Sequence, residues 1–189
     1  YVVPVPDSGI VAAIGYSEES GIPMSLGLIR SHYVGRTFIE PTQGIRDFGV
    51  RMKFMPVPEV IQNKRIVLID DSIVRGTTSR KIVQVIKEMK PKEIHFRVAS
   101  PPVKYPCFYG IDFSRPEELL ANKLKTLEEI AHYIGVDSVG YVSVEGLFPS
   151  DLVDEKYFCR ACFDGHYPTK ITSVSKESFD HEIKQASLR

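Results

Sequence analysis

The chain has 189 residues, 43% hydrophobic and 25% charged, which is enough to bury one good core and about the size of one domain. Its 24 basic and 24 acidic residues cancel, which argues against a nucleic-acid footprint spread over the whole surface, so any anion site must be local. No apolar run approaches the roughly 18 residues of a membrane span and no charged-then-apolar leader is present, so a cytoplasmic protein without membrane association is expected.

Tyr1 to Val5 reads as an apolar strand, Pro6-Asp7-Ser8-Gly9 as a turn, and Ile10 to Ile14 as the start of a helix that Gly21-Ile22-Pro23 ends. Asp7 or Ser8 could serve simply as the N-cap of that helix. Met24 to Ile29 reads as a second strand. Arg30 to Lys53 then breaks every periodicity, with Arg30, Arg36, Arg46, Arg51 and Lys53 set against Glu40 and Asp47, and glycines at 35, 44 and 49. A loop of this length is either a functional lid or a solvated excursion. A lid suits the composition, because a highly charged substrate needs both counter-charge and exclusion of water, and such a loop is expected to be mobile without ligand.

Ile66 to Ile69 is a run of β-branched residues and Leu, as expected of a strand buried on both faces of a parallel sheet, and it ends in Asp70 and Asp71. From Thr77 the apolar residues Ile82, Val83, Val85, Ile86 and Met89 recur at helical spacing, and Pro91 supplies a stop. Lys92 to Ala99 alternates as a strand would, Pro116 to Ile134 is helical with a restart at Lys125-Thr126, and Val139 to Val144 is a further extended segment. This order implies an α/β fold with a mainly parallel, twisted sheet flanked by helices. Residues 1–150 are expected to form one domain and 151–189 a carboxyl-terminal extension; internal repeats and low-complexity linkers are absent.

Asp70 to Thr78 is therefore a loop at the carboxyl end of a strand, leading into a helix N-terminus, which is where open α/β sheets bind ligands. Backbone N–H groups around Arg75, Gly76, Thr77 and Thr78 sit at the positive end of a helix dipole, and Gly76 allows close approach, so a phosphate fits there. Adjacent carboxylates at Asp70 and Asp71 would repel that phosphate and must face ribose hydroxyls or a hard cation such as Mg²⁺. Phosphate at one end and a sugar diol at the other describe a phosphorylated ribose. Neither a Walker pattern nor a G-x-G-x-x-G offers a competing site. The bland alternative is an acidic strand end followed by a Thr N-cap.

LIDDSIVRGTT at Leu68 to Thr78 resembles the phosphoribosyl pyrophosphate (PRPP) signature of the type I phosphoribosyltransferases. VPDSGI at Val5 to Ile10, RSHYVGRTFIEPTQGIR at Arg30 to Arg46 and CRACFDGHYP at Cys159 to Pro168 narrow the resemblance to the PRPP amidotransferase branch and extend it over nearly the whole chain. What the resemblance implies is a type I phosphoribosyltransferase fold whose lid spans about residues 30–53. It also implies transfer of ammonia, normally drawn from glutamine, to C1 of PRPP with release of pyrophosphate, as the first step of purine nucleotide synthesis. Asp7, Ser8, Gly9, Asp70, Asp71, Ser72, Val74, Arg75, Gly76, Thr77 and Thr78 would bind PRPP, and Ser8, Asp70 and Asp71 would contact Mg²⁺. Catalysis would rest on Asp70 and Asp71 with the lid residues Tyr33, Arg36 and Lys53. The resemblance further implies a glutaminase domain outside these residues, purine nucleotide feedback inhibitors, and a homo-oligomer in the full-length protein. A non-catalytic PRPP sensor and a nucleobase salvage enzyme are the alternatives; the former lacks a visible effector module, and the VGRTFI loop and C-x-x-C tail count against the latter.

Three cysteines occur, Cys107, Cys159 and Cys162. A single C-x-x-C is open among a redox pair, half a zinc site and an iron–sulfur corner, the redox reading being weakened because no early strand of a thioredoxin-like unit precedes it. By resemblance, Cys107, Cys159 and Cys162 are three of four ligands to a structural [4Fe–4S] cluster, an incomplete set lying at a distance from the sugar-phosphate loop. Among the histidines, His32 falls in the lid, His166 beside the C-x-x-C could substitute as a ligand, and His95, His132 and His181 read as ordinary members of regular elements.

Overall fold

The structure, a computed structural model, describes residues 1–31, 53–111, 113, 115–148 and 154–171. Four strands, β1 (Val2–Pro4), β4 (Arg65–Asp70), β5 (Glu93–Val98) and β6 (Ser138–Tyr141), form an all-parallel sheet in the order β1-β4-β5-β6. Strand β4 is central, pairing Val2 with Val67 on one side and Asp70 with Val98 on the other. Because the strands are parallel, the loops that follow β1 and β4 open at the same sheet edge.

Helix α1 (Ile10–Ser20) covers one face of this sheet, and α3 (Thr77–Lys87) and α5 (Leu127–Ile134) cover the other. A single helical turn, α2 (Pro58–Ile61), precedes β4 and buries Ile61 in the core. Side chains point alternately to the two faces of a strand, and those of β4 divide accordingly. Ile66 and Leu68 enter the large core with Ile82, Ile86, Ile130 and Ile134, whereas Val67 and Ile69 face the smaller cluster around Val2 and Ala13. Ile66, Leu68 and Ile69 are all at most 2% exposed, as a strand sandwiched between helices requires. The apolar stripe expected from Thr77 to Met89 is the buried face of α3.

Two expectations need correction. Met24 to Ile29 does not run as one strand: Met24 makes an isolated bridge to Val2, and β2 is Leu28–Arg30, paired antiparallel with β3 (Phe54–Pro56) in a separate ribbon. Pro23 and Gly27 interrupt the segment, and Gly27 is pinned between Val3 and Val60 side chains. Pro116 to Ile134 is likewise three short elements: a 3₁₀ turn Pro116–Glu118, α4 (Leu120–Lys123) and α5. Thr126 starts α5 through a capping box with Glu129, the predicted restart. No helix among the described residues is long and apolar enough to cross a membrane.

Candidate active site at the carboxyl edge of the sheet

The loop after β1 and the loop after β4 face each other across a cleft of about 610 Å³. Asp7 and Ser8 come from the first; Asp70, Asp71, Ser72, Val74, Arg75, Gly76, Thr77 and Thr78 come from the second. Lys53 and Arg30, at the open end of the β2–β3 ribbon, also line it. Eleven of the expected site residues are thus on one wall or another of a single cavity. Tyr33 and Arg36 lie outside the described residues.

Strand parity separates the two carboxylates. Asp70 continues the Ile66–Leu68 face and is therefore pulled into the core, 7% exposed, while Asp71 is one residue further on and exposed. Burial, reinforced by the neighbouring Asp71, pushes the Asp70 carboxyl up to about 8, against a smaller opposing effect of the Asp71 N–H and of the Ser8 side chain. The Asp71 N–H donates to Asp70 Oδ1 at 3.0 Å. Two adjacent carboxyl groups, one desolvated, with a hydroxyl beside it, are a donor set that fits a hard divalent cation.

At the other end, Gly76 is the N-cap of α3 at φ +74°, in the left-handed region that glycine favours, and no side chain caps the helix. The first N–H groups of α3 have no intrahelical partner and stand at the positive end of the helix dipole, where an anion would be favoured. A Cβ at Gly76 would lie 2.7 Å from Leu120 Cδ2, so glycine is required by packing as well as by conformation. The Thr N-cap alternative does not hold. Nor does an Asp7 or Ser8 cap for α1, whose N-cap is Gly9 without a side-chain bond.

Gly9 does not line the cleft: its N–H donates to Val5 O at 2.9 Å, and a Cβ there would run into the Ile69 carbonyl. It serves close packing of β1, β4 and α1, and its amide is spent. The Arg75 guanidinium bonds Glu118, its Nε donating to Oε2 at 2.6 Å. Arg30, counted in the sequence only among the lid charges, donates from Nη1 to Asp7 Oδ2 at 2.5 Å. Its position at a strand end, 23 residues from Asp7, left no sequence signal of that pairing. Its Nε is the one buried side-chain nitrogen or oxygen without a hydrogen-bond partner among the described residues.

Among the described residues no group of three His, Cys, Asp or Glu side chains is placed to hold a metal ion. All three thiols are free, Cys159 exposed and Cys107 and Cys162 half-buried. Burial pushes the Cys162 thiol up to about 11. Cys107 and Cys162 pack on the cluster Val103–Phe113–Leu119, and so does Val74.

No protein-family model matches the chain. Its parallel sheet with flanking helices is the phosphoribosyltransferase fold of type I, shared with two solved structures. One is the glutamine PRPP amidotransferase of B. subtilis complexed with ADP and GMP: 51% identity, TM-score 0.79, 92% of this chain and 39% of that one. The other is described as the allosteric regulatory enzyme of purine biosynthesis, at 50% identity and TM-score 0.78, over 92% of this chain and 38% of that one. Among curated relatives, the chain is 56% identical over 173 residues to the chloroplastic amidophosphoribosyltransferase 1 of Arabidopsis thaliana, 92% of this chain and 30% of that protein. It is 52% identical over 177 residues to the amidophosphoribosyltransferase of Synechocystis sp., 94% and 36% respectively. The chain spans roughly a third of the length of the curated relatives it matches. Over nearly its whole length the chain is similar to the phosphoribosyltransferase part of amidophosphoribosyltransferases.

Proposed function

We propose that the cleft binds PRPP and that ammonia displaces pyrophosphate at C1 of the ribose, giving 5-phosphoribosylamine. The observation that carries this reading is the convergence of the Asp7–Ser8 turn and the Asp70–Thr78 loop on one cavity, a carboxylate pair at its sugar end and a helix N-terminus at its phosphate end. The amides of residues 75–78 hold the 5′-phosphate. Asp71, exposed at the strand tip, accepts from the ribose hydroxyls, and Asp70 orders the strand tip beneath it. Ser8, Asp70 and Asp71 would hold Mg²⁺, which when bound supplies positive charge to the leaving pyrophosphate. Lys53, with Tyr33 and Arg36, meets the pyrophosphate and orients the amine. The C1–O bond breaks ahead of C1–N formation, so the protein's work is positioning and stabilising the leaving group.

In this reading ammonia comes from glutamine in a longer, homo-oligomeric protein of the cytoplasm, at the entry to purine nucleotide synthesis. Purine nucleotides compete for the 5′-phosphate loop, in keeping with the ADP and GMP in the B. subtilis relative. The [4Fe–4S] cluster implied by resemblance draws on four thiols, whereas this sequence has three, and no step depends on it. The test is pyrophosphate release from PRPP with ammonia, compared with adenine, guanine or orotate. Release with ammonia alone is expected; release only with a nucleobase would make the protein a salvage enzyme, and binding without release a sensor.

A further inference from the structure

Arg75 lines the cleft one residue before Gly76, the N-cap of α3, and its guanidinium is bonded to a segment far along the chain. Its Nε donates to Glu118 Oε2 at 2.6 Å, and Arg115 approaches the other carboxylate oxygen at 4.0 Å. Two residues on, the Leu120 N–H donates to Val74 O at 2.8 Å, and the Leu120 side chain fills the space beside Gly76 that a Cβ would need. Leu119, fully buried, anchors the cluster on which Val74 packs. Asn122 ties this segment down by donating from Nδ2 to Lys104 O at 2.8 Å and Pro116 O at 2.9 Å. Three consecutive residues of the cleft loop, 74 to 76, are therefore each gripped from behind by residues 118 to 120.

We propose that Glu118 is a positioning residue for the phosphate end of the site. By bonding the Arg75 guanidinium it holds the loop against residues 118–120 and keeps the backbone amides of 75–78 aimed at the ligand's phosphate. Arg75 acts as a tether of the loop, and the phosphate is bound by amides. A short charge-assisted bond between partly covered side chains is strong enough for this role. The inference rests on the cleft being a PRPP site and specifies how its phosphate end is built.

The experiment measures binding of ribose 5-phosphate and, separately, of Mg²⁺-pyrophosphate to the chain and to Glu118→Gln, Glu118→Asp, Arg75→Gln and the Arg75→Gln/Glu118→Gln double variant. Glu118→Gln and Arg75→Gln are each expected to weaken ribose 5-phosphate by about tenfold, and the double variant by no more than either alone, since the pair acts as a unit. Glu118→Asp should recover part of the loss, and pyrophosphate affinity should be unchanged, which a general loss of folding could not produce. Ribose 5-phosphate binding by Glu118→Gln that equals or exceeds wild type would overturn the proposal, as freeing Arg75 would then cost nothing or help. So would an Arg75→Gln loss much larger than that of Glu118→Gln, which would make Arg75 the phosphate ligand. A wild-type chain that binds neither probe would overturn the PRPP reading itself.

Discussion

Asp70 and Asp71 are neighbours in sequence and opposites in environment. Asp70 shares a strand face with Ile66 and Leu68, and its carboxyl titrates near 8; in the unfolded chain it would titrate near 3.8. The native state thus holds a proton that the unfolded state has lost between those values, so its stability falls as pH rises through that window. Asp70→Asn removes the titration. In metal-free buffer its unfolding free energy should gain on wild type steadily from about pH 4 to pH 8, by at least about 1 kcal/mol at the upper end. A difference that stays flat with pH in urea titrations would show the carboxyl is not desolvated. Asp71, outside the core, should matter for turnover and little for folding. Asp71→Asn is expected to lower ammonia-dependent pyrophosphate release by a factor on the order of 10² while leaving the urea midpoint nearly unchanged; turnover near wild type would remove that carboxylate from the mechanism.

Elements show where local chemistry suffices. Helix α5 begins at a reciprocal pair, Thr126 Oγ1 accepting from the Glu129 N–H at 3.1 Å and Glu129 Oε2 accepting from the Thr126 N–H at 3.1 Å. It then drives Ile130, Ala131 and Ile134 into the same core as α3. Thr126→Ala should cost about 1 kcal/mol in unfolding free energy, with no change in ligand binding, because the cap faces away from the cleft. Chemical denaturation and ribose 5-phosphate titration of the same variant check both halves. Helix α3, its N-terminus left uncapped by any side chain, keeps its first amides available to the cleft instead. One helix is started by side chains and the other is left for a ligand to complete.

Across the whole molecule, the cleft is assembled by three chain segments far apart in sequence: the β1 turn, the β2–β3 ribbon and the β4 loop. A ligand that spans them binds the folded chain and not the unfolded one. PRPP with Mg²⁺ at about 100 times its dissociation constant should therefore stabilise the protein by about 2.7 kcal/mol. In thermal unfolding this is a rise of several degrees for a chain of this size, expected with PRPP plus Mg²⁺ and much smaller with ribose lacking phosphate. No shift with PRPP would place its site outside this cleft. The same assembly explains why residues 103–120 matter to the site: they carry Cys107 and Glu118 together and reach the phosphate loop from its back.

What the sequence determined by itself was local. The run Ile66 to Ile69, the helical spacing after Thr77, the alternation of Lys92 to Ala99 and the Gly76 turn each reveal their structure through neighbours a few residues away, and with them the carboxylate and phosphate ends of the cleft were legible. The break between Met24 and Leu28 carries no such local signal, since the antiparallel partner of β2 is Phe54–Pro56, far along the chain. Only the tertiary structure decided that Asp70 is buried and Asp71 is not, that Gly9 spends its amide on Val5, that Arg30 pairs with Asp7, and that Arg75 turns to Glu118 across 43 positions. The last two are contacts between polar side chains distant in sequence, where no periodicity encodes the partner; their pairing exists only once the β2–β3 ribbon packs beside the β1 turn and the 3₁₀ turn Pro116–Glu118 packs beside the β4 loop.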